Sequence, residues 1–107
     1  MSISERYREL VAEVQVLIKG LRSDEQSDAT ERVFRVIDQA VAILAEHEEE
    51  VGEIPRMRID RDLSPVLLDA HNLFDRARLL LEEDECDKEA AKVWDVQKKL
   101  YRLLNDL

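Results

Sequence analysis

Only two glycines and two prolines interrupt the 107 residues of this chain, and none of them follows Pro65. Such scarcity leaves long stretches free of helix breakers. The apolar pattern agrees. Ile3, Tyr7, Leu10, Val14, Leu17 and Leu21 recur in steps of four and three, with Val11 and Ile18 widening the stripe. This is the period of a helix with one buried face. Ser2 followed by Glu5 forms a capping box at its start, and Gly20 with Ser23 marks its exit.

The polar stretch 23–28 reads as a loop holding two alternative helix starts, Ser23 with Gln26 and Asp28 with Glu31. A second helix follows, with Val33, Ile37, Ala40, Val41, Leu44 and Val51 on one face and Phe34, Val36 and Ile43 at its borders. It is expected to stop near Gly52, because Pro55 disfavours helix at Ile54. Residues 52–62 form the longest connection. Ser64 as N-cap and Pro65 at the first helical position predict the start of a third helix. Beyond Pro65 one long helix is conceivable, but the heptad phase of Leu63, Leu67, Ala70, Phe74, Ala77 and Leu81 runs onto Asp84 and Lys88. The next apolar stripe, Ala90, Val93, Gln97, Leu100, Leu104 and Leu107, is displaced by two positions, which predicts a turn within Glu82–Asp87. The fold class expected is all-α: one domain over residues 1–107, an antiparallel up-down-up-down four-helix bundle, with a dimer as an open alternative.

Charge narrows the partners. The formal net charge is -9, with 6 basic and 13 acidic groups in residues 1–53. Only the stretch 54–62 is locally basic, carrying Arg56, Arg58 and Arg61 against Asp60 and Asp62. A phosphate backbone wants clustered Lys and Arg, so no nucleic-acid partner is expected. No apolar run approaches the ~20 residues that span a bilayer, so no membrane partner is expected. Cys86 is the sole cysteine and the amino-terminal segment is charged, which points to the cytoplasm.

The surplus apolar surface lies on helices three and four. Leu68 and Leu79 fall opposite the core face of helix three, while Val96, Leu103, Trp94 and Tyr101 widen the stripe of helix four beyond what a bundle needs. These six residues, with Arg56 and Arg58 of the 54–62 loop, are the expected contact surface for a protein partner or a homodimer through helices three and four. In that loop Ile54, Met57 and Ile59 alternate with arginines. The apolar residues either cap the open end of the bundle or form a docking site with arginines able to grip carboxylates.

Glu46, His47, Glu48, Glu49, Glu50 and Glu53, residue types that can ligate a metal, crowd the end of helix two. His71 and Asp75 stand one turn apart on helix three, so a set of His47, Glu50, His71 and Asp75 is geometrically conceivable. Di-iron bundles use Glu-x-x-His, whereas Leu44 and Leu68 precede the two histidines here. The preferred reading is a solvated acidic helix end with no metal or cofactor; Glu49, Glu50, Glu53, His47 and His71 stand as candidates only.

Two short resemblances bear on chemistry. Glu49-Glu50-Val51-Gly52-Glu53 resembles the first acidic motif of the all-α nucleotide pyrophosphohydrolases of the MazG type. That resemblance implies Mg²⁺ held by carboxylates against substrate phosphates. The family's second motif, Glu-x-x-Asp on the next helix, would fall on Asp69-Ala70-His71-Asn72, which departs from it at both key positions. Ala70-His71-Asn72-Leu73 is similar to the phospho-accepting segment of histidine phosphotransfer domains, with Phe74 and Asp75 where that family has Lys and Gly. The chain is assigned to neither family. The function expected is a non-enzymatic protein–protein interaction module of the adaptor, chaperone or inhibitor kind, with the pyrophosphohydrolase and a degenerate phosphotransfer domain as alternatives.

Overall fold

The computed structural model describes residues 2–23 and 29–107, apart from the side chain of Arg56. Four helices hold most of them: α1 (Ile3–Ser23), α2 (Glu31–Glu46), α3 (Ile59–Glu83) and α4 (Asp87–Asn105). Two single 3-10 turns, Val51–Glu53 and Arg56–Arg58, lie between α2 and α3. There is no strand among the described residues. The four helices pack against one another, α1 against α2 and α4, and α3 against α2 and α4. Their buried faces meet in one apolar cluster, inside a body measuring 44 × 21 × 21 Å.

Tyr7, Leu10, Val14 and Leu21 of the α1 stripe are buried, Ile3 and Leu17 pack partly buried against the core, and the Ser2 hydroxyl caps the helix by accepting from the Glu5 amide at 3.2 Å. The second helix, α2, starts at Glu31. Thr30 occupies the cap position and its carbonyl accepts from the amides of Val33 and Phe34. Gln26 and Asp28 lie outside the described residues.

The end of α2 corrects the sequence reading: the helix stops at Glu46, six residues before Gly52. Carboxylates are unfavourable beside the negative end of a helix dipole, and α2 has no basic residue in its last turn while Glu46, Glu48, Glu49 and Glu50 gather there. A side chain from α1 also takes one terminal carbonyl. The Tyr7 hydroxyl, fully buried, donates to the Leu44 carbonyl at 2.6 Å. The chain then turns, and Val51 still enters the core from its 3-10 turn rather than from the helix.

The start of α3 is a second correction. It begins at Ile59, so Pro65 lies inside the helix and Ser64 is not its cap; the connection is residues 47–58. Asp60 and Asp62 favour the early start, because they sit in the first turn at the positive end of the dipole. The added turns fully bury Leu63 and bring Ile59 against the core. Pro65 faces solvent, and the Ser64 hydroxyl donates to Asp60 at 2.8 Å instead of capping.

Between α3 and α4 the chain turns at residues 84–86, within the segment where the heptad phase breaks. The Cys86 amide donates to the Leu81 carbonyl at 2.8 Å and the Glu85 amide to the Glu82 carbonyl at 3.1 Å. This is a Schellman closure, with Glu85 in the left-handed region at φ 61° and the C″ residue Cys86 buried together with Leu81.

The apolar width of α4 has an internal use. Val96 and Leu103, expected on the outer surface, are buried. A helix with neighbours on two sides needs a broad apolar arc, and α4 packs against both α1 and α3. The ion pairs Lys99–Glu13 and Arg6–Asp106, both at 2.9 Å, flank the α1–α4 seam.

Candidate functional site on the outer face of α3 and α4

Once Val96 and Leu103 are in the core, four of the six predicted apolar contact residues remain at the surface. Leu68 and Leu79 on α3, and Trp94 and Tyr101 on α4, are each about half exposed. The helix period puts Leu68 and Leu79 on one stripe of α3, three turns apart, in line with Asn72 and Asp75. Trp94 and Tyr101, two turns apart, form the matching stripe of α4. Contacts tie the aromatic stripe to α3. The Arg78 guanidinium stands 5.2 Å from the centre of the Trp94 ring, and the His71 ring lies 6.2 Å from that of Tyr101 at a tilt of 48°.

Beneath this surface is a polar network that sequence reasoning missed. Gln97 occupies a core position of α4 and is almost fully buried. Its side chain is satisfied from α3: Arg78 Nε donates to Gln97 Oε1 at 2.9 Å, and Gln97 Nε2 donates to Asp75 Oδ1 at 3.2 Å. Arg78 also donates to Asp75 and to Glu82, both at 2.8 Å. A buried amide without such partners would be costly; with them it fixes how α3 and α4 meet. The hydrogen bonds from Arg78 and then Gln97 hold the Asp75 carboxyl below its ordinary value, and Asp75 in turn raises Arg78. The signal was present as a polar residue in the apolar stripe of α4, with Asp75, Arg78 and Glu82 at spacings of three and four on α3.

Residues 54–62 straddle the end of the connection and the first turn of α3. Ile54 and Ile59 pack against the core, while Met57 is 93% exposed. Arg58 is exposed and lies 3.7 Å from Asp62, a pair one turn apart. The Arg56 side chain lies outside the described residues.

His47 is the C-cap residue of α2, 3.9 Å from Glu50, and Glu49, Glu50 and Glu53 are exposed on the turns that follow. His71 sits against Tyr101, and Asp75 is engaged with Arg78 and Gln97. Among the described residues no group of three or more His, Cys, Asp or Glu side chains is placed to hold a metal ion. The acidic motif that resembles the pyrophosphohydrolases therefore lies on a turn and a 3-10 segment rather than on one helix.

Comparison with protein families, with curated proteins and with solved structures returned no match. No helix is long and apolar enough to cross a membrane among the described residues.

Proposed function

We propose that this protein is a non-enzymatic interaction module that holds a protein partner on the outer face of α3 and α4. One observation carries the reading. Six large apolar side chains stand exposed among the described residues, and four of them, Leu68, Leu79, Trp94 and Tyr101, belong to this face. Tryptophan and tyrosine supply large contact area with few rotatable bonds, which is why they anchor interfaces. The Asp75–Arg78–Gln97 network beneath them holds the two helices in one arrangement, so little ordering remains to be done on binding. Arg58, beside the start of α3, extends the surface towards acidic groups on the partner.

The scaffold is read as one domain, an up-down-up-down bundle with antiparallel neighbours. Arg6 near the start of α1 meets Asp106 at the end of α4, and Tyr7 meets Leu44 near the end of α2. In the same sense Arg78 late in α3 meets Gln97, and His71 earlier in α3 meets Tyr101 farther along α4. The location read from the sequence is the cytoplasm.

The test is capture from an extract of the source cells on immobilised protein, wild type beside Leu68→Glu with Tyr101→Glu, with bound proteins identified by mass spectrometry. Both substitutions are at half-exposed positions, so circular dichroism should report unchanged helix content. A protein held by the wild type and lost from the double variant supports the reading. Identical captured sets, or none above a blank matrix, overturn it.

A further inference from the structure

On a different side of α3 a groove of about 660 Å³ runs along its seam with α2. Ala42, Ile43 and Leu73 provide its apolar lining, and Gln39 and Asn72 lie beside them. Asp69 and Arg76, seven residues apart on α3, also border it. Seven residues are two helical turns, about 10.5 Å, so these opposite charges stand at opposite ends of the groove. On α2 the residues Arg35, Gln39, Ala42 and Glu46 follow the spacing i, i+4, i+7, i+11 and form one stripe. Its ends are again opposite in charge. Arg35, Glu46, Asp69 and Arg76 are all exposed, and none takes part in an ion pair among the described residues.

With α2 and α3 antiparallel, Arg35 and Arg76 fall at one end of this face and Glu46 and Asp69 at the other. The midpoint of the α2 pair lies between residues 40 and 41, and that of the α3 pair between 72 and 73, both at the apolar centre. Such a face is complementary to itself. We propose that a second copy of this chain docks on the α2–α3 face about a two-fold axis crossing both helices at right angles. The rotation lays α3 antiparallel on α3 and α2 antiparallel on α2. Asp69 then meets Arg76 of the partner subunit, Arg35 meets Glu46 of the partner subunit, and the apolar centres close on each other. An axis along the helices would instead bring the two arginine ends together. Every contact occurs twice, as a two-fold interface requires. The inference rests on the antiparallel reading of α2 and α3 and is independent of the α3–α4 docking face.

The size of the face sets the strength. α2 has 16 residues and so spans about 24 Å, and two helices side by side are about 20 Å wide. A contact of that size covers on the order of 500 Å² per copy, below the ~800 Å² per partner of standard stable interfaces. The dimer is therefore reversible, and its charge pairs at the rim make it sensitive to salt.

Sedimentation equilibrium on the full chain, from micromolar to millimolar concentration, tests this. The wild type should fit a monomer–dimer equilibrium whose Kd rises with sodium chloride. Asp69→Arg and Arg76→Asp should each raise Kd on the order of tenfold or more, since each sets like charges opposite one another. An equimolar mixture of these two variants should associate as tightly as the wild type, because each then supplies the charge the other lacks. Trp94→Ala, on the α3–α4 face, should leave Kd unchanged. A wild type that stays monomeric throughout, charge variants that dimerise unchanged, or a mixture that fails to recover association overturns the proposal. Loss of the dimer in Trp94→Ala alone would move the seam to α3–α4 and overturn it as well.

Discussion

Tyr7 links three facts at the scale of a single residue. Its ring is fully buried in α1, its hydroxyl ends on the Leu44 carbonyl of α2, and its ionisation is pushed well above the ordinary phenol range. Burial is the larger cause and the nearby Glu48 carboxylate the smaller. Tyr7→Phe keeps the ring but strips a helix-terminal carbonyl of its partner, so we expect a loss of about 1–2 kcal/mol in urea unfolding. Because the folded phenol holds its proton above the unfolded value near 10, the wild type should also lose stability as pH rises past about 10, a slope that Tyr7→Phe removes. Equal stability of the two proteins at pH 7 would mean that the hydroxyl does not serve α2. Glu85 is the converse case, an L-residue in the left-handed region at φ 61°. Glycine has no Cβ to strain there, so Glu85→Gly should stabilise by roughly 0.5–1 kcal/mol, read as a higher denaturation midpoint. A destabilised variant would show that the Glu85 side chain contributes more than its backbone strain costs.

Each helix end poses a choice between local signals and packing. Ser64-Pro65 reads locally as a helix start, yet the fold carries α3 back to Ile59 and accepts a proline in the helix to bury Leu63. The two arrangements predict opposite mutational behaviour. With α3 beginning at Ile59, Pro65→Ala restores an amide that can reach the Arg61 carbonyl and should stabilise by about 1–3 kcal/mol. Ser64→Ala should cost only a few tenths of a kcal/mol, against about 1 for a true N-cap. Neutral or harmful Pro65→Ala together with a costly Ser64→Ala would restore the start at residue 64. Between α3 and α4 the Asp75 carboxylate is the titrating member of the network. Its folded value lies below the ordinary 3.8, so the stabilisation is complete above that pH and is lost as pH falls through the lower folded value. Asp75→Asn should flatten the acid limb of stability against pH in that window; an unchanged limb would mean that the carboxylate does not couple to folding. The four apolar stripes and the turn near residue 85 were legible because periodicity and phase are local in sequence. Val96 and Leu103 were misplaced because the width of an apolar arc depends on how many neighbours a helix has. The Gln97 network and the α2–α3 groove were missed for a related reason: each needs side chains from two helices at a fixed register, which no single segment encodes.

At the scale of the whole molecule the excess of nine negative charges is spread over a body only 44 Å long. At about 0.01 M salt the screening length is ~30 Å, so most of these charges feel one another; at about 1 M it is ~3 Å and only direct neighbours interact. Surface ion pairs such as Arg6–Asp106 and Lys99–Glu13 are weakened by the same screening, but pairs of this kind contribute about 0–1 kcal/mol each. Repulsion is concentrated where Glu46, Glu48, Glu49, Glu50 and Glu53 crowd the end of α2, and no helix dipole offsets it there. Repulsion should therefore dominate in the monomer. Sodium chloride raised across that range is expected to stabilise it by roughly 1 kcal/mol, a Tm rise of about 4 °C for a chain of this size. The melt belongs at low micromolar concentration, where a reversible dimer is dissociated. Glu49→Lys with Glu50→Lys should raise Tm at low salt and shrink the salt effect, since it relieves the crowding and places cations at the negative end of α2. The same salt that strengthens the monomer weakens an interface built on Asp69–Arg76 and Arg35–Glu46 pairs, so Tm and Kd should rise together. A Tm that falls with salt would mean that the ion pairs, and not the net charge, govern the electrostatics of this bundle.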